Sequence, residues 1–171
     1  MEIQASEYQI LKLTEKFYMD YPNPPYVEIL QKEKRAYNCV LFQTHYDYFI
    51  CIPYRTEIVH KFSYRFKNSK RSKKHKSGLD YTKIIIVKNK EYIDAENAII
   101  DRDEFKETNI NIERIKKEAL LYVEEYICGI KEKDFMNKKE NMRKYGYSTL
   151  KYFHNELGIV MYTEEADENK I

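Results

Sequence analysis

An α+β domain on an antiparallel sheet is the fold this sequence predicts, on three observations. Two runs rich in aromatic and β-branched residues, 37–43 and 48–52, flank the polar stretch 44–47 and read as a hairpin. The apolar run 82–87 reads as a central strand buried on both faces. Two amphipathic helical stretches, 111–130 and 138–157, come after the strands, which segregates helices against the sheet.

Along the chain, 8–13 alternates polar and apolar residues as a short strand does. Thr14 is placed to cap a helix over 15–21, which Pro22 ends. Pro22-Asn23-Pro24-Pro25 makes a rigid connection, 26–30 a helical turn, and 33–35 is polar and exposed. Pro53 suits a strand end, because it has no N–H to give to a ladder. Short strands are expected at 92–93 and 98–100, for a sheet of about six strands. In the first late helix Ile112, Ile115, Ala119, Val123, Tyr126 and Ile127 share a face, with Asn111 as cap and Gly129 near the end. In the second, Met142, Tyr145, Thr149, Tyr152 and Phe153 share a face and Gly158 terminates. Residues 1–160 are expected to form one domain, and 161–171 an acidic, disordered tail.

Composition narrows the function classes. No apolar run approaches the ~20 residues a membrane helix needs, and the first residues lack the basic and apolar regions of a signal peptide. A cytoplasmic protein without membrane contact is expected. Cys39, Cys51 and Cys128 are odd in number and lie among apolar residues, which predicts buried free thiols. The four histidines are scattered without metal-ligand spacing, so neither metal nor cofactor is expected. There is no Gly-rich phosphate loop and no Gly-x-Ser-x-Gly elbow. Asp101, Asp103 and Glu104 read as a helix entry or a solvated loop.

The formal net charge is only +2, yet one segment concentrates cations: Lys61, Arg65, Lys67, Lys70, Arg71, Lys73, Lys74 and Lys76, with no acid between Ile58 and Leu79. Phe62, Tyr64 and Phe66 open it, and the chain holds 17 Tyr and no Trp. Cations beside rings suit a polyanion with stackable bases. The bland alternative is a solvated loop. The flanks add chemistry. The hairpin brings Lys34-Arg35, before its first strand, beside Tyr54-Arg55-Thr56, after its second. His60, with the residues up to Arg65, and Asp80-Tyr81-Thr82-Lys83, entering the central strand, are two further clusters.

RNA cleavage by transesterification needs a base for the 2′-hydroxyl, an acid for the leaving 5′-oxygen and cations for the phosphorane. His60 suits proton transfer near neutral pH. Arg35 and Arg55 suit phosphate oxygens, and Thr56, Tyr81 and Lys83 can donate hydrogen bonds. These also have plain roles: His60 could be a hydrogen-bonded structural residue, Arg55 could only pair with Glu57 or Asp80, Lys83 face solvent, Tyr81 pack, and Thr56 cap a turn. Lys34, Lys61, Tyr64, Arg65, Phe66, Asp80 and the lysines and arginine at 70, 71, 73, 74 and 76 are the candidate RNA contacts.

Ile52-Pro53-Tyr54-Arg55-Thr56, His60-Lys61, Tyr64-Arg65-Phe66 and Gly78-Leu79-Asp80-Tyr81-Thr82-Lys83, with the order of elements over residues 8–158, resemble the CptN/TenpN branch of the ToxN/AbiQ superfamily. These are toxins of type III toxin–antitoxin systems. The resemblance implies a strongly twisted antiparallel sheet similar to MazF/Kid toxins. It implies a sequence-specific, metal-independent endoribonuclease acting on cellular RNA, leaving 2′,3′-cyclic phosphate and 5′-hydroxyl ends. It also implies a small RNA pseudoknot antitoxin, cut from tandem repeats, that inhibits the toxin in a closed assembly, and a role in abortive infection. Arg35 (or Lys34) matches the family's basic residue opening the first hairpin strand. The family's Thr-Ser pair after the second strand is Arg55-Thr56 here, so only the threonine matches, and His60 or Lys83 is left for the missing role. A non-catalytic RNA-binding module and a domain for an acidic protein partner stay open beside it.

Overall fold

The computed structural model describes residues 7–31 and 37–161. Seven strands, all paired antiparallel, form its sheet among these residues: β1 (Tyr8–Leu13), β2 (Asn38–Gln43), β3 (Phe49–Arg55), β4 (Ser63–Arg65), β5 (Gly78–Asp80), β6 (Ile85–Val87) and β7 (Ile93–Asn97). The order is β4-β5-β3-β2-β1-β7, and β6 also pairs with β3. The helices are α1 (Glu15–Asp20), α2 (Lys70–His75), α3 (Arg102–Gly129) and α4 (Lys139–Tyr145). The α+β class and the hairpin therefore hold, with Leu41 opposite Cys51 at the hairpin's middle. Among the described residues no helix is long and apolar enough to cross a membrane.

β3 is the spine. Ile50, Cys51 and Ile52 have no exposed surface, as a strand covered on both faces requires. Its free edge is shared: β6 pairs with residues 49–51 and β5 with residues 54–55. Pro53 falls between those two partners, so the strand runs through it instead of ending there. Ile115, Ala119 and Val123 of α3 are fully buried in the core.

Other boundaries differ from expectation for local reasons. α3 starts at Arg102, not near Asn111, because Asp101 caps it, accepting from the backbone N–H groups of Asp103 (2.9 Å) and Glu104 (3.1 Å). The acids at 103 and 104 are its first turn, where the helix dipole favours them. The run 82–87 is strand only from Ile85; Tyr81–Lys83 is a 3₁₀ turn, since the Asp80 carboxylate accepts from the Thr82 N–H and hydroxyl. Lys90–Tyr92 is likewise a 3₁₀ turn, and one strand, β7, follows where two short ones were expected. The second late helix breaks after Tyr145, and residues 149–152 form a separate 3₁₀ turn capped by Ser148. There the Thr149 hydroxyl donates to the Ile84 carbonyl, which ties the turn to β6. Thr14 precedes α1, but its hydroxyl bonds the Glu91 carbonyl (2.8 Å), not the helix. Cys39 and Cys51 are buried free thiols; Cys128 is exposed on α3. The expected tail lies almost wholly outside the described residues.

The cation-rich segment is ordered structure. Ser69 caps α2, and two buried glutamates of α3 hold the segment from beneath. Glu107 accepts from the backbone N–H groups of Lys67 (3.0 Å) and Asn68 (3.2 Å) and from the Tyr64 hydroxyl (3.3 Å). Glu104 accepts from the Ser69 and Ser77 hydroxyls and lies 3.6 Å from Arg71 Nη1.

Gly78 closes this region. A Cβ there would sit 2.3 Å from the Tyr64 carbonyl oxygen, a backbone atom the β4–β5 ladder holds in place. Gly78→Ala should therefore destabilise by ~1–3 kcal/mol in urea titration. An unchanged midpoint would contradict this strand approach.

Candidate functional site

The β3–β5–β4 ladder sorts the key residues onto faces. Arg55 lies opposite Gly78, and Gly78 opposite Arg65. Cross-strand partners point the same way, and so do residues two apart along a strand. Asp80, paired with Ser63 and two residues beyond Gly78, therefore shares the face of Arg55 and Arg65. The row Tyr54–Leu79–Tyr64 points the other way, where the Tyr54 hydroxyl meets Thr108 of α3 at 2.8 Å.

Asp80 is the hub. It has no exposed surface. Its Oδ2 accepts from Arg55 Nη1 at 2.7 Å. Its Oδ1 accepts from the Thr82 hydroxyl at 2.7 Å and the Thr82 N–H at 3.0 Å. His60 Nε2 lies 3.3 Å from the same oxygen, within ion-pair reach once protonated. The alignment is too poor for a hydrogen bond, and both ring nitrogens are buried without a hydrogen-bond partner among the described residues. Burial alone would push the Asp80 carboxyl up, but His60, Thr82 and Arg55 together outweigh it and hold it below the usual carboxylate range.

Two hollows share His60 of this cluster, while Arg55, Asp80 and Thr82 line neither. One, of about 880 Å³, lies between the 59–68 segment and the first half of α3; Lys61, Arg65, Lys67, Lys106 and Arg114 line it against Asp103 and Glu107. The other, of about 720 Å³, lies between residues 60–62, Glu125 of α3 and α4. His60 and Lys61 line both.

Of the residues singled out in the sequence, Arg55, His60 and Asp80 come together, with Thr56 half-buried directly after Arg55. Lys34 and Arg35 lie outside the described residues. Tyr81 donates its hydroxyl to Glu118 Oε2 at 2.7 Å, and Arg114 Nε holds the other Glu118 oxygen at 2.6 Å. Burial, then Glu118, pushes the Tyr81 hydroxyl far up, so it is a donor and not a proton carrier near neutral pH. Lys83 is not solvent-facing: it is buried and donates to Glu28 (2.7 Å) and the Tyr147 carbonyl (2.9 Å). Tyr64 and Phe66 are buried, Phe66 stacked 5.7 Å from Tyr54, so their ring faces are spent inside the fold. Lys61 and Arg65 are exposed in the larger hollow, whereas Lys70, Arg71, Lys73 and Lys74 lie on α2, and Lys76 caps it. None of these five lines either hollow.

Lys106, Arg114, Lys144 and Arg143 went unremarked in the sequence, because distant helices deliver them. One local signal was legible: from 61 to 67 cations and aromatics nearly alternate, which turns Tyr64 and Phe66 inward and Arg65 and Lys67 outward. Among the described residues no cluster of His, Cys, Asp and Glu is arranged to hold a metal.

The Asp80 network gives a pH signature. A carboxyl held below its unfolded value contributes stability above about pH 4, and that contribution is lost as the pH falls through the folded value. Asp80→Asn should cost ~1.5–3 kcal/mol at pH 7, towards the low end because Arg55 and His60 are partly exposed. Parallel thermal melts should show the gap narrowing below pH 4; a gap that stays constant would contradict the network.

Compared with known proteins, the chain matches no family model, no curated protein and no solved structure.

Proposed function

We propose that this chain is an endoribonuclease of the toxin type, cutting single-stranded RNA by transesterification. The observation that carries the reading is the buried Asp80 carboxylate beside Arg55 and His60, with His60 lining both of two partly basic hollows. In this reading His60 takes the proton of the attacking 2′-hydroxyl as the 2′-oxygen bonds phosphorus, and the imidazolium returns that proton to the 5′-oxygen as its bond to phosphorus breaks. Arg55 spends one guanidinium donor on Asp80 and offers the rest of its fork to the non-bridging oxygens. Asp80 holds the two at a fixed separation and stabilises the imidazolium once formed. The His60 nitrogens are buried, so this role requires the ring to turn about its side-chain torsions when substrate binds.

The resemblance to the ToxN/AbiQ superfamily supports the same reading and extends it. By that analogy, products would carry 2′,3′-cyclic phosphate and 5′-hydroxyl ends, and a repeat-derived RNA pseudoknot would be both processed and inhibitory. Catalysis would need no metal, because the imidazole and guanidinium supply proton transfer and charge stabilisation.

One observation favours the non-catalytic reading. Lys83, a candidate second proton carrier, is tied to Glu28 and Tyr147. A module that only binds RNA needs the cations and not the proton relay. Incubating the purified chain with single-stranded RNA in EDTA and mapping the ends separates the two. The endoribonuclease reading predicts cyclic phosphate ends and a ~10²–10⁴-fold lower rate for His60→Ala, with RNA affinity retained. Binding without cleavage, or a His60→Ala variant that cuts at the parental rate, would contradict it.

A further inference from the structure

We infer that the smaller hollow is a nucleotide subsite beyond the scissile position, so that a single RNA strand runs from the larger hollow over His60 and onto α4. The inference rests on the RNA-cleaving reading and names where its substrate goes.

The geometry restricts the path. A chain occupying both hollows must cross their shared segment, His60-Lys61, and so passes His60, whose Nε2 lies 3.3 Å from buried Asp80. The smaller hollow offers what a nucleotide asks for. Phe62 is the aromatic of the 62–66 segment that keeps part of its ring exposed, while Tyr64 and Phe66 are buried. Lys61 Nζ stands 5.6 Å from the Phe62 ring centre and the His60 ring lies 6.1 Å from it, inclined by 27°, so imidazole, ring and cation form one wall. Opposite them Arg143 is exposed and makes no ion pair among the described residues. Asn141 spends its amide nitrogen on the Phe135 carbonyl (2.9 Å), leaving its side-chain oxygen as an acceptor for a base edge. A ring to stack on, a forked cation for a phosphate and a neutral acceptor fit a nucleotide better than they fit an acidic peptide, which has no base. The volume, about 720 Å³, lies in the usual range for small-ligand pockets.

The acids of this hollow set the sign of the test. Lys144 neutralises Glu125 by a direct ion pair. Glu140 lines the hollow and makes no ion pair among the described residues, so it opposes a bound phosphate. Arg143→Gln should weaken binding and Glu140→Gln should strengthen it.

The probe is a fluorescein-labelled, 2′-O-methylated single-stranded oligonucleotide, which binds but cannot be cut by 2′-hydroxyl attack. Anisotropy titration reads affinity independently of catalysis. Arg143→Gln should weaken binding ~5–10-fold and lower the salt slope by ~0.7, the value of one phosphate contact on a single strand. Phe62→Ala should weaken binding ~10-fold with the slope unchanged, because stacking is not screened. Trimming the oligonucleotide from one end should cost the wild type affinity and cost Arg143→Gln little, since the lost nucleotide and the lost arginine remove the same contact. Tight wild-type binding that Arg143→Gln, Phe62→Ala and Glu140→Gln all leave unchanged would overturn the subsite and leave the endoribonuclease reading standing. Displacement of the probe by polyglutamate as readily as by unlabelled oligonucleotide would overturn it in favour of an acidic protein partner. No binding by the wild type would remove the RNA reading and the subsite together.

Discussion

The buried carboxylate of Asp80 is the constraint on which the rest of this structure turns. An ionised side chain without solvent contact needs partners on every lone pair. Arg55 from β3 and Thr82 from the turn after β5 supply hydrogen bonds, and His60 from the β3–β4 connection lies within ion-pair reach. The same contacts bend the chain after β5 into a 3₁₀ turn, which sends β6 back along β3. Local structure, sheet topology and the candidate site therefore share one residue. Its burial is tolerable because Arg55 brings a full charge at hydrogen-bond distance.

A second set of buried acids does for the cation-rich segment what Asp80 does for the site. Glu104 and Glu107 face inward from the first turns of α3 and take up backbone and hydroxyl donors of residues 64–77. A segment with so many like charges would not fold on itself, since its cations repel. Two buried anions beneath it supply the compensating charge and fix its path. The cations then fall into two groups. Lys61, Arg65 and Lys67 are turned into the larger hollow, while those of α2 stand outside both. The electrostatic surface nearest His60 is thus assembled from the 61–67 segment and from the distant helices α3 and α4.

What the sequence made legible follows from which forces are local. The β2–β3 hairpin could be read because its β-branched and aromatic runs favour strands and its connection is short. The apolar face of α3 was legible from Ile115 to Tyr126. Its first turns were not, because the inward positions there are Glu104, Glu107 and Thr108, which an apolar periodicity passes over. The break between α4 and the 149–152 turn depends on a hydrogen bond from Thr149 to Ile84, far away in sequence. At the site, Arg55, His60 and Asp80 were recognisable as types of chemistry, and the ladder that unites them followed partly from the hairpin. Arg114, Lys106 and Arg143 belong to the same surface through tertiary packing alone.

The central claim is that His60, held beside Asp80 and Arg55, is the point over which an RNA strand passes. The imidazole signals of the four histidines, followed by NMR while a non-cleavable single-stranded oligonucleotide is added, test it most directly. His154, bonded to the Tyr126 hydroxyl at 2.8 Å and outside both hollows, is an internal reference. The account predicts that the His60 signals shift and saturate with the oligonucleotide while those of His154 stay in place. A His60 signal that does not move when the oligonucleotide is bound would contradict it.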